Sequence, residues 1–357
     1  MRYVFIILGF LFLSIFSNGQ EHIGLHRRAI LVDTHNDCIS DAALAGKDLG
    51  VSLSSGHSDY FRWRKGGLDI QFFSIYTGSA PRRKEGFFHD AIEEIDSLNH
   101  LILRHPDEFS FASSYKEANS RAHKSQIISM IGVEGGHMIE NSLDKLDSLA
   151  DRGMRYLTLT WNNSNDWATS AMDESGAGVK LERKGLTDFG KQVVARLNEL
   201  GVMVDLSHVG EQTFYDVLAV TKKPVILSHS SVYSICPVFR NVKDDQIKAL
   251  AKNGGVICIN FYSGFISKKY DENPSEENKP SVKEVVDHID FIAKLVGVDY
   301  IGLGADYDGV GSVPKGLEDV SCYPAITEEL KARGYSNKSV KKILGGNVLR
   351  VLKANAK

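Results

Sequence analysis

One pattern constrains this chain more than any other: short apolar, β-rich runs recur at eight places and alternate with helical stretches. The runs are Ile30 to Asp33, Leu68 to Tyr76, Ile127 to Val133, Arg155 to Thr160, Val202 to Leu206, Pro224 to Leu227, Val256 to Phe261 and Tyr300 to Leu303. Helical spacing and start signals mark the stretches from Thr187 to Leu200, from Asp244 to Ala251, and from Ser281 to Val296 with a stop at Gly297. Such alternation implies parallel strands joined by crossover helices. Eight units in 357 residues predict one closed (β/α)8 barrel, an α/β fold of the TIM type. An open doubly wound sheet would have about six strands and a glycine-rich phosphate turn. No G-x-G-x-x-G follows the first run.

The first residues read separately from the barrel. Met1-Arg2-Tyr3 gives a short basic start, Val4 to Phe16 is almost wholly apolar, and Ser17 and Gly19 supply the small residues of a cleavage site. The apolar run is shorter than the ~20 residues of a membrane-spanning helix. Residues 1–19 are therefore expected to be a signal peptide, and residues 20–357 one exported domain, periplasmic or secreted, with no membrane span after cleavage. No Cys follows the apolar run, and the polar C-terminus carries no lipid-anchor signal. The 45 acidic and 42 basic side chains leave a net charge of −3, which speaks against a nucleic-acid partner. With 43% hydrophobic and 24% charged residues, the composition is that of an ordered globular chain. Cys38, Cys236, Cys258 and Cys322 are scattered, so neither a thiolate metal site nor a disulfide is expected.

Most runs end in residues that a core would not choose. Asp33, His35 and Asp37 close the first, Glu134 the third, and Trp161, Asn162 and Asn163 follow the fourth. Asp205 and His208 end the fifth, His229 the sixth, Asn260 and Tyr262 the seventh, Asp306 and Asp308 the eighth. In a barrel these C-terminal strand ends converge on the one face where such enzymes hold their active sites. His35 and Asp37 share one side of an extended chain, because strand side chains alternate with period two. With Glu134, His208 and His229 they make three imidazoles and two carboxylates, a donor set that suits zinc and its neighbours. Five ligands exceed one tetrahedral zinc, so two metals bridged by Glu134 are expected. A metal pair can acidify a shared water and polarise a carbonyl, as amide hydrolysis requires. Asp33 is read as a structural strand-end group and Asp205 as a carboxylate orienting a ligand imidazole. His57, His89, His100, His105, His123 and His288 are read as solvated surface histidines.

Ordered motifs along the chain carry a resemblance. They are Leu31-Val32-Asp33-Thr34-His35-Asn36-Asp37, Gly132-Val133-Glu134-Gly135-Gly136-His137, Arg155 to Thr160, Val204-Asp205-Leu206-Ser207-His208, Val225 to Ser231, Arg240-Asn241-Val242 and Gly304 to Val310. From about Ala29 to the C-terminus the chain resembles the membrane (renal) dipeptidase family. The resemblance implies a barrel of the metal-dependent hydrolase type with two Zn2+ per chain. His35 and Asp37 would hold one, His208 and His229 the other, and Glu134 would bridge. It further implies Arg240 as receptor for the free carboxylate of a dipeptide, and Asp306 as the acid/base beside the bridging water. A guanidinium forks onto a carboxylate, which selects short substrates with a free C-terminus. Homodimers are common in that family.

The departure is Trp161. After Leu157-Thr158-Leu159-Thr160 the family usually carries a histidine thought to contact the substrate, and indole offers one N–H donor, no acceptor and no titrating charge. Trp161 is expected to narrow the pocket, with Asn162, Asn163 or Asn165 as neutral donors to an oxyanion and Tyr262 as a further substrate contact. The resulting expectation is an exported zinc dipeptidase that hydrolyses dipeptides by a metal-bridged hydroxide. Two rivals stay open: a binuclear amidohydrolase for N-acyl amino acids or lactams, and a non-catalytic peptide-binding relic of the barrel.

Overall fold

The computed structural model describes residues 22–357, so the expected signal peptide lies outside the described residues. Nine parallel strands follow in chain order: β1 Val32–Asp33, β2 Ile70–Tyr76, β3 Phe109–Phe111, β4 Ile127–Glu134, β5 Met154–Thr158, β6 Met203–Asp205, β7 Ile226–Ser230, β8 Val256–Ile259 and β9 Ile301–Leu303. Eight of them close a barrel in the order β1-β2-β4-β5-β6-β7-β8-β9 and back to β1. Each contains or overlaps one of the eight predicted runs. The strand that the sequence pattern missed is β3, three residues that pair only with the start of β4. It lies outside the barrel circuit, and three residues are too few for a visible alternation.

Alternation along the strands sorts the apolar side chains into two groups. Val32, Ile70, Phe72, Ile128, Met130, Tyr156, Met203, Ile226, Val256 and Cys258 fill the barrel interior, and Val348, Val351 and Leu352 of the C-terminal helix Asn347–Asn355 pack into the same cluster. Their strand neighbours, among them Phe73, Ile75, Ile131, Leu157, Val204, Leu227 and Ile257, pack outward against the helices. Toward the C-terminal ends the inward positions turn polar, through Thr34, Ser74, Thr158, Asp205, Ser228 and Asn260, all fully buried. An apolar interior thus gives way to a polar mouth within one or two residues per strand. Among the described residues no helix is long and apolar enough to cross a membrane.

The helix signals act as read from the sequence. Thr187 caps the helix Asp188–Leu200 by accepting the Gly190 N–H, and Gly201 ends it in the left-handed region. Ser281 and Glu284 form a reciprocal capping box for Val282–Val296, with the Ser281 N–H donating to Glu284 at 2.8 Å.

Of the histidines read as solvated, His288 departs furthest from that expectation. His288 is not solvated but fully buried on Val282–Val296, because it faces the core side of an amphipathic helix. Its Nδ1 accepts from the Val232 N–H at 3.0 Å and its Nε2 donates to the Ile266 carbonyl at 3.0 Å. The neutral ring thereby pins the segment after β7, which is held further by backbone bonds between Ser231 and Val242 and between Tyr233 and Val242. Burial lowers its pKa to about 4 against opposing pulls from the Ile266 carbonyl and Asp287. A folded pKa below the unfolded value means that the unfolded chain binds more protons between the two, so stability drops as pH falls from ~6.5 to ~4. Denaturant titrations at pH 7 and 4.5 are expected to show the wild type losing about 2 kcal/mol more than His288→Gln. Equal losses would contradict this role.

Candidate active site

Six side chains from five strand ends meet at the polar mouth. His35 Nε2 lies 3.5 Å from Asp37 Oδ2, 3.5 Å from Glu134 Oε2 and 3.9 Å from Asp306 Oδ1. The other Glu134 oxygen, Oε1, lies 2.9 Å from His208 Nε2 and 3.3 Å from His229 Nε2. The two oxygens of one carboxylate therefore face two donor groups, His35 with Asp37 on one side and His208 with His229 on the other.

The far nitrogens of the rings decide what the near ones offer. Tyr156 donates its hydroxyl to the Thr34 carbonyl at 3.0 Å, so at 2.8 Å from His35 Nδ1 it must accept. Ser228 donates to Asp205 at 2.6 Å, so at 2.8 Å from His229 Nδ1 it too accepts. His208 Nδ1 donates to Asn162 Oδ1 at 3.0 Å. Each ring carries a proton on Nδ1 and, when neutral, aims the Nε2 lone pair into the cage. Two such lone pairs, on His208 and His229, stand 2.9 Å apart. His35 Nε2 and Asp37 Oδ1 are buried without a hydrogen-bond partner. Unpaired lone pairs and carboxylates converging in a buried space fit divalent cations and little else. His35, Glu134 and His229 are mutually close enough to share one ion, as are His35, Asp37 and Asp306.

Electrostatics agree with that fit. Burial opposes charge on His35, yet Tyr156, Asp37 and Glu134 outweigh it and raise its pKa well above that of free imidazole. Burial resists ionisation of Glu134 as well, but His35, His208 and His229 hold it well below the usual range. Burial pushes His208 down to about 4, with Arg240 adding to the effect. The carboxylates attract positive charge to the centre, while His208 and His229 remain neutral donors.

Local backbone geometry explains the precision. Asp306 donates its N–H to the His35 carbonyl at 3.1 Å, and Asp37 donates to the Tyr307 carbonyl at 3.0 Å, lacing the ends of β1 and β9 together. His208, Asp306 and Asp308 have φ of 65°, 65° and 66°, in the left-handed region that non-glycine residues seldom occupy. His57, half-buried rather than solvated, clamps that turn: its N–H donates to Asp308 Oδ1 at 2.6 Å and its Nδ1 accepts from the Asp308 N–H at 2.9 Å. Position 309 must be glycine, because a Cβ there would lie 2.1 Å from Asp37 Oδ2. Asp33 binds the Ala305 N–H at 2.9 Å and the Tyr323 hydroxyl, the structural part read from sequence.

Around the cage runs a cleft of about 650 Å³. Asp37, Glu134, His208, His229, Asp306, Arg240, Trp161 and Tyr262 all line it. Asn163 does not. Its Nδ2 turns to the Ser164 carbonyl at 3.4 Å, while its neighbour Asn162 takes the wall position and orients His208. Asn165 is likewise committed to the backbone, donating to the Leu159 carbonyl at 2.8 Å. Trp161 packs on Tyr76 with ring centroids 5.3 Å apart. Two guanidiniums reach the cleft. Arg82 is committed to the ion pair with Glu94 at 2.5 Å and to the Tyr76 carbonyl. Arg240, 5% exposed, makes only a 3.4 Å bond to the His229 carbonyl and lies 5.4 Å from the Phe265 ring, leaving its fork free. Burial lifts the Asp306 carboxyl to about 7; His35 opposes the lift, and Asp37 and Glu134 add to it. Asn260 holds its Oδ2 at 2.7 Å.

Residues 20–357 match the family model described as membrane dipeptidase, peptidase family M19. The chain belongs to that family. It is a metallo-dipeptidase by that membership. Solved structures agree. The probable dipeptidase PvdM from Pseudomonas aeruginosa superposes with a TM-score of 0.84 at 24% identity, over 94% of this chain and 98% of that one, a likeness of fold. A metallo peptidase from Rhodobacter sphaeroides, liganded with a phosphinate mimic of the dipeptide L-Ala-D-Ala, gives 0.82 at 25% identity over 92% and 99%. The dipeptidase AC, a metallo peptidase of the same family, gives 0.83 at 25% over 92% and 98%.

Sequence reasoning about this dipeptidase named Asp205 as an orienting group but missed Tyr156 and Ser228, which accept the ring N–H groups of His35 and His229. Tyr156 was visible only as part of a motif, although a tyrosine at an inward barrel position signals a hydroxyl needing a buried partner. Gly132 makes its room, since a Cβ there would fall 1.8 Å from the ring. Replacing Tyr156 with Phe leaves the His35 N–H without its acceptor. Chelator competition is expected to show about 10- to 100-fold weaker metal affinity, and unchanged affinity would refute the orienting role.

Proposed function

We propose that this family member is an exported zinc dipeptidase that binds a dipeptide between Arg240 and the carboxylate–imidazole cage. One observation carries the reading: a buried carboxylate with separate donor groups on its two oxygens stands in one cleft with an uncommitted guanidinium. His35 and Asp37 would hold one cation and His208 and His229 the other, with Glu134 between them; nitrogen and oxygen donors of this kind favour zinc. Bound metals would polarise the scissile carbonyl and supply a nucleophile at neutral pH.

The chain's own side chains do the remaining work. Arg240 binds the substrate carboxylate through paired N–H donors in a largely buried site, which fixes the peptide's register and excludes chains extended at the C-terminus. Asp306 faces the cage with Oδ1 while Asn260 holds Oδ2, so one oxygen is free to take a proton on the attack side and deliver it to the departing amine. Asn162 and Trp161 form the wall beside His208 and carry no titrating group. The basic start, apolar run and small residues of positions 1–19 support export.

Trp161 against Tyr76 favours one second reading, hydrolysis of N-acyl amino acids or lactams, whose apolar acyl group would lie on the aromatic wall. Metal content and turnover of a dipeptide panel beside acyl amino acids, before and after chelation and zinc return, separate the two. About two metals per chain and chelator-sensitive dipeptide cleavage are expected; better turnover of acyl amino acids would replace the first reading. Arg240→Met is expected to lower kcat/KM about 100-fold for a dipeptide and far less for its C-terminal amide. Asp306→Asn is expected to lower kcat by about 10²- to 10⁴-fold with metal content retained.

A further inference from the structure

Just past the end of β8, the fully buried Asn260 reaches two parts of the cleft at once. Its backbone N–H donates to the Ser230 carbonyl at 3.3 Å, which fixes it against β7. The Tyr262 N–H donates to its side-chain oxygen. A backbone N–H can only donate, so the amide oxygen is pinned on that side and its NH2 must point the other way. There it donates to Asp306 Oδ2 at 2.7 Å, leaving Oδ1 turned to the cage, 3.9 Å from His35 Nε2.

The same Tyr262 N–H begins the turn into the short helix Ser263–Ile266, which carries the floor beneath Arg240. Tyr262 and Phe265 both line the cleft, and their rings meet edge to face with centroids 4.8 Å apart. Gly264 between them leaves the space that a Cβ, 2.6 Å from the Tyr262 ring, would take. The Phe265 ring lies 5.4 Å from the Arg240 guanidinium, and Asn241 ties the two segments by donating to the Phe265 carbonyl at 2.8 Å.

We propose that Asn260 is a positioning residue whose one amide holds both the acid/base carboxyl and the floor of the carboxylate receptor, so that proton delivery and substrate register are set together. The inference rests on the dipeptidase reading. Its two bonds can be cut separately. In Asn260→Asp one oxygen still accepts from Tyr262, while the other opposes Asp306 Oδ2. Carboxylates that close share a proton or part, and either way Oδ1 loses basicity or direction. Asn260→Leu keeps the shape and removes both bonds, which releases the floor under Arg240 as well.

The test is kcat and KM of the metal-loaded protein for Ala-Ala and for its C-terminal amide, with metal content measured beside them. Asn260→Asp is expected to lower kcat about 10- to 100-fold with KM for Ala-Ala kept within about three-fold and metal content unchanged. Added to Asp306→Asn, the same substitution should cost about two-fold or less, because the group it acts through is gone. Asn260→Leu should also raise KM for Ala-Ala about ten-fold and narrow its advantage over the amide. Asn260→Asp keeps the shape and the Tyr262 bond, so its cycle with Asp306→Asn decides the case even where Asn260→Leu fails to fold. A full loss on top of Asp306→Asn, or a KM rise as large in Asn260→Asp as in Asn260→Leu, would overturn the inference and leave the dipeptidase reading standing. No cleavage of Ala-Ala by the metal-loaded wild type would overturn both.

Discussion

A carboxylate buried at the end of a barrel strand stays ionised only if positive charge or hydrogen-bond donors meet each of its oxygens, and Glu134 sits under that constraint. Its two oxygens face different imidazole groups, with His35 on one side and His208 and His229 on the other, and cations held between ring and oxygen would supply that charge. Much of the surrounding architecture serves this one residue. β4 must end where β1, β6 and β7 end, and closing eight parallel strands into a barrel brings those ends to one rim. A shift of one residue in β4 would turn Glu134 outward, because side-chain direction alternates along a strand.

Holding three imidazoles with their lone pairs inward costs hydrogen-bond acceptors behind them. Tyr156, Asn162 and Ser228 supply one each, and Ser228 passes the demand on to Asp205, which also binds the Thr158 hydroxyl and the N–H groups of Ser207 and Ser228. Asp205 never touches the cage, yet it sets the direction of His229 through one hydroxyl. The left-handed turns at His208 and Asp306 belong to the same economy, since backbone strain survives only where neighbours over-determine the position. The clamp between His57 and Asp308 is one such determinant, linking a loop far away in sequence to the turn that carries Asp306.

What the sequence made legible follows from periodicity and from the rule that barrels gather their strand ends. Most of the eight β-rich runs ended in polar residues, and the structure brings His35, Asp37, Glu134, His208, His229 and Asp306 together at those ends. The family motifs singled out Arg240, whose loop sits far from any strand run. Illegible parts were those without a local signal. Asn163 and Asn162 are neighbours of identical type, and nothing in the chain tells which faces the cleft; the commitment of Asn163 to Ser164 decides it in three dimensions. His288 looked like a helix-surface residue because one histidine in a helix carries no mark of its two backbone partners, which come from distant loops. A three-residue strand such as β3 is too short to show a period.

Trp161 changes how the cleft distributes charge. A histidine at this wall could carry a proton; an indole cannot, and its neighbour Asn162 is occupied with His208. Arg82 is tied down by Glu94 at 2.5 Å and by the Tyr76 carbonyl. Among the described residues lining the cleft, Arg240 is therefore the guanidinium left uncommitted, and under the proposed reading a substrate anion falls to it. On the proposed reading binding and chemistry are separated in space, with the guanidinium setting where a chain must end and the cage setting which bond lies within reach. The apolar Trp161–Tyr76 wall then discriminates by shape and contact area rather than by charge, so differences among acyl-side residues should follow burial of their carbon atoms, at about 25 cal/mol per Å² removed from water.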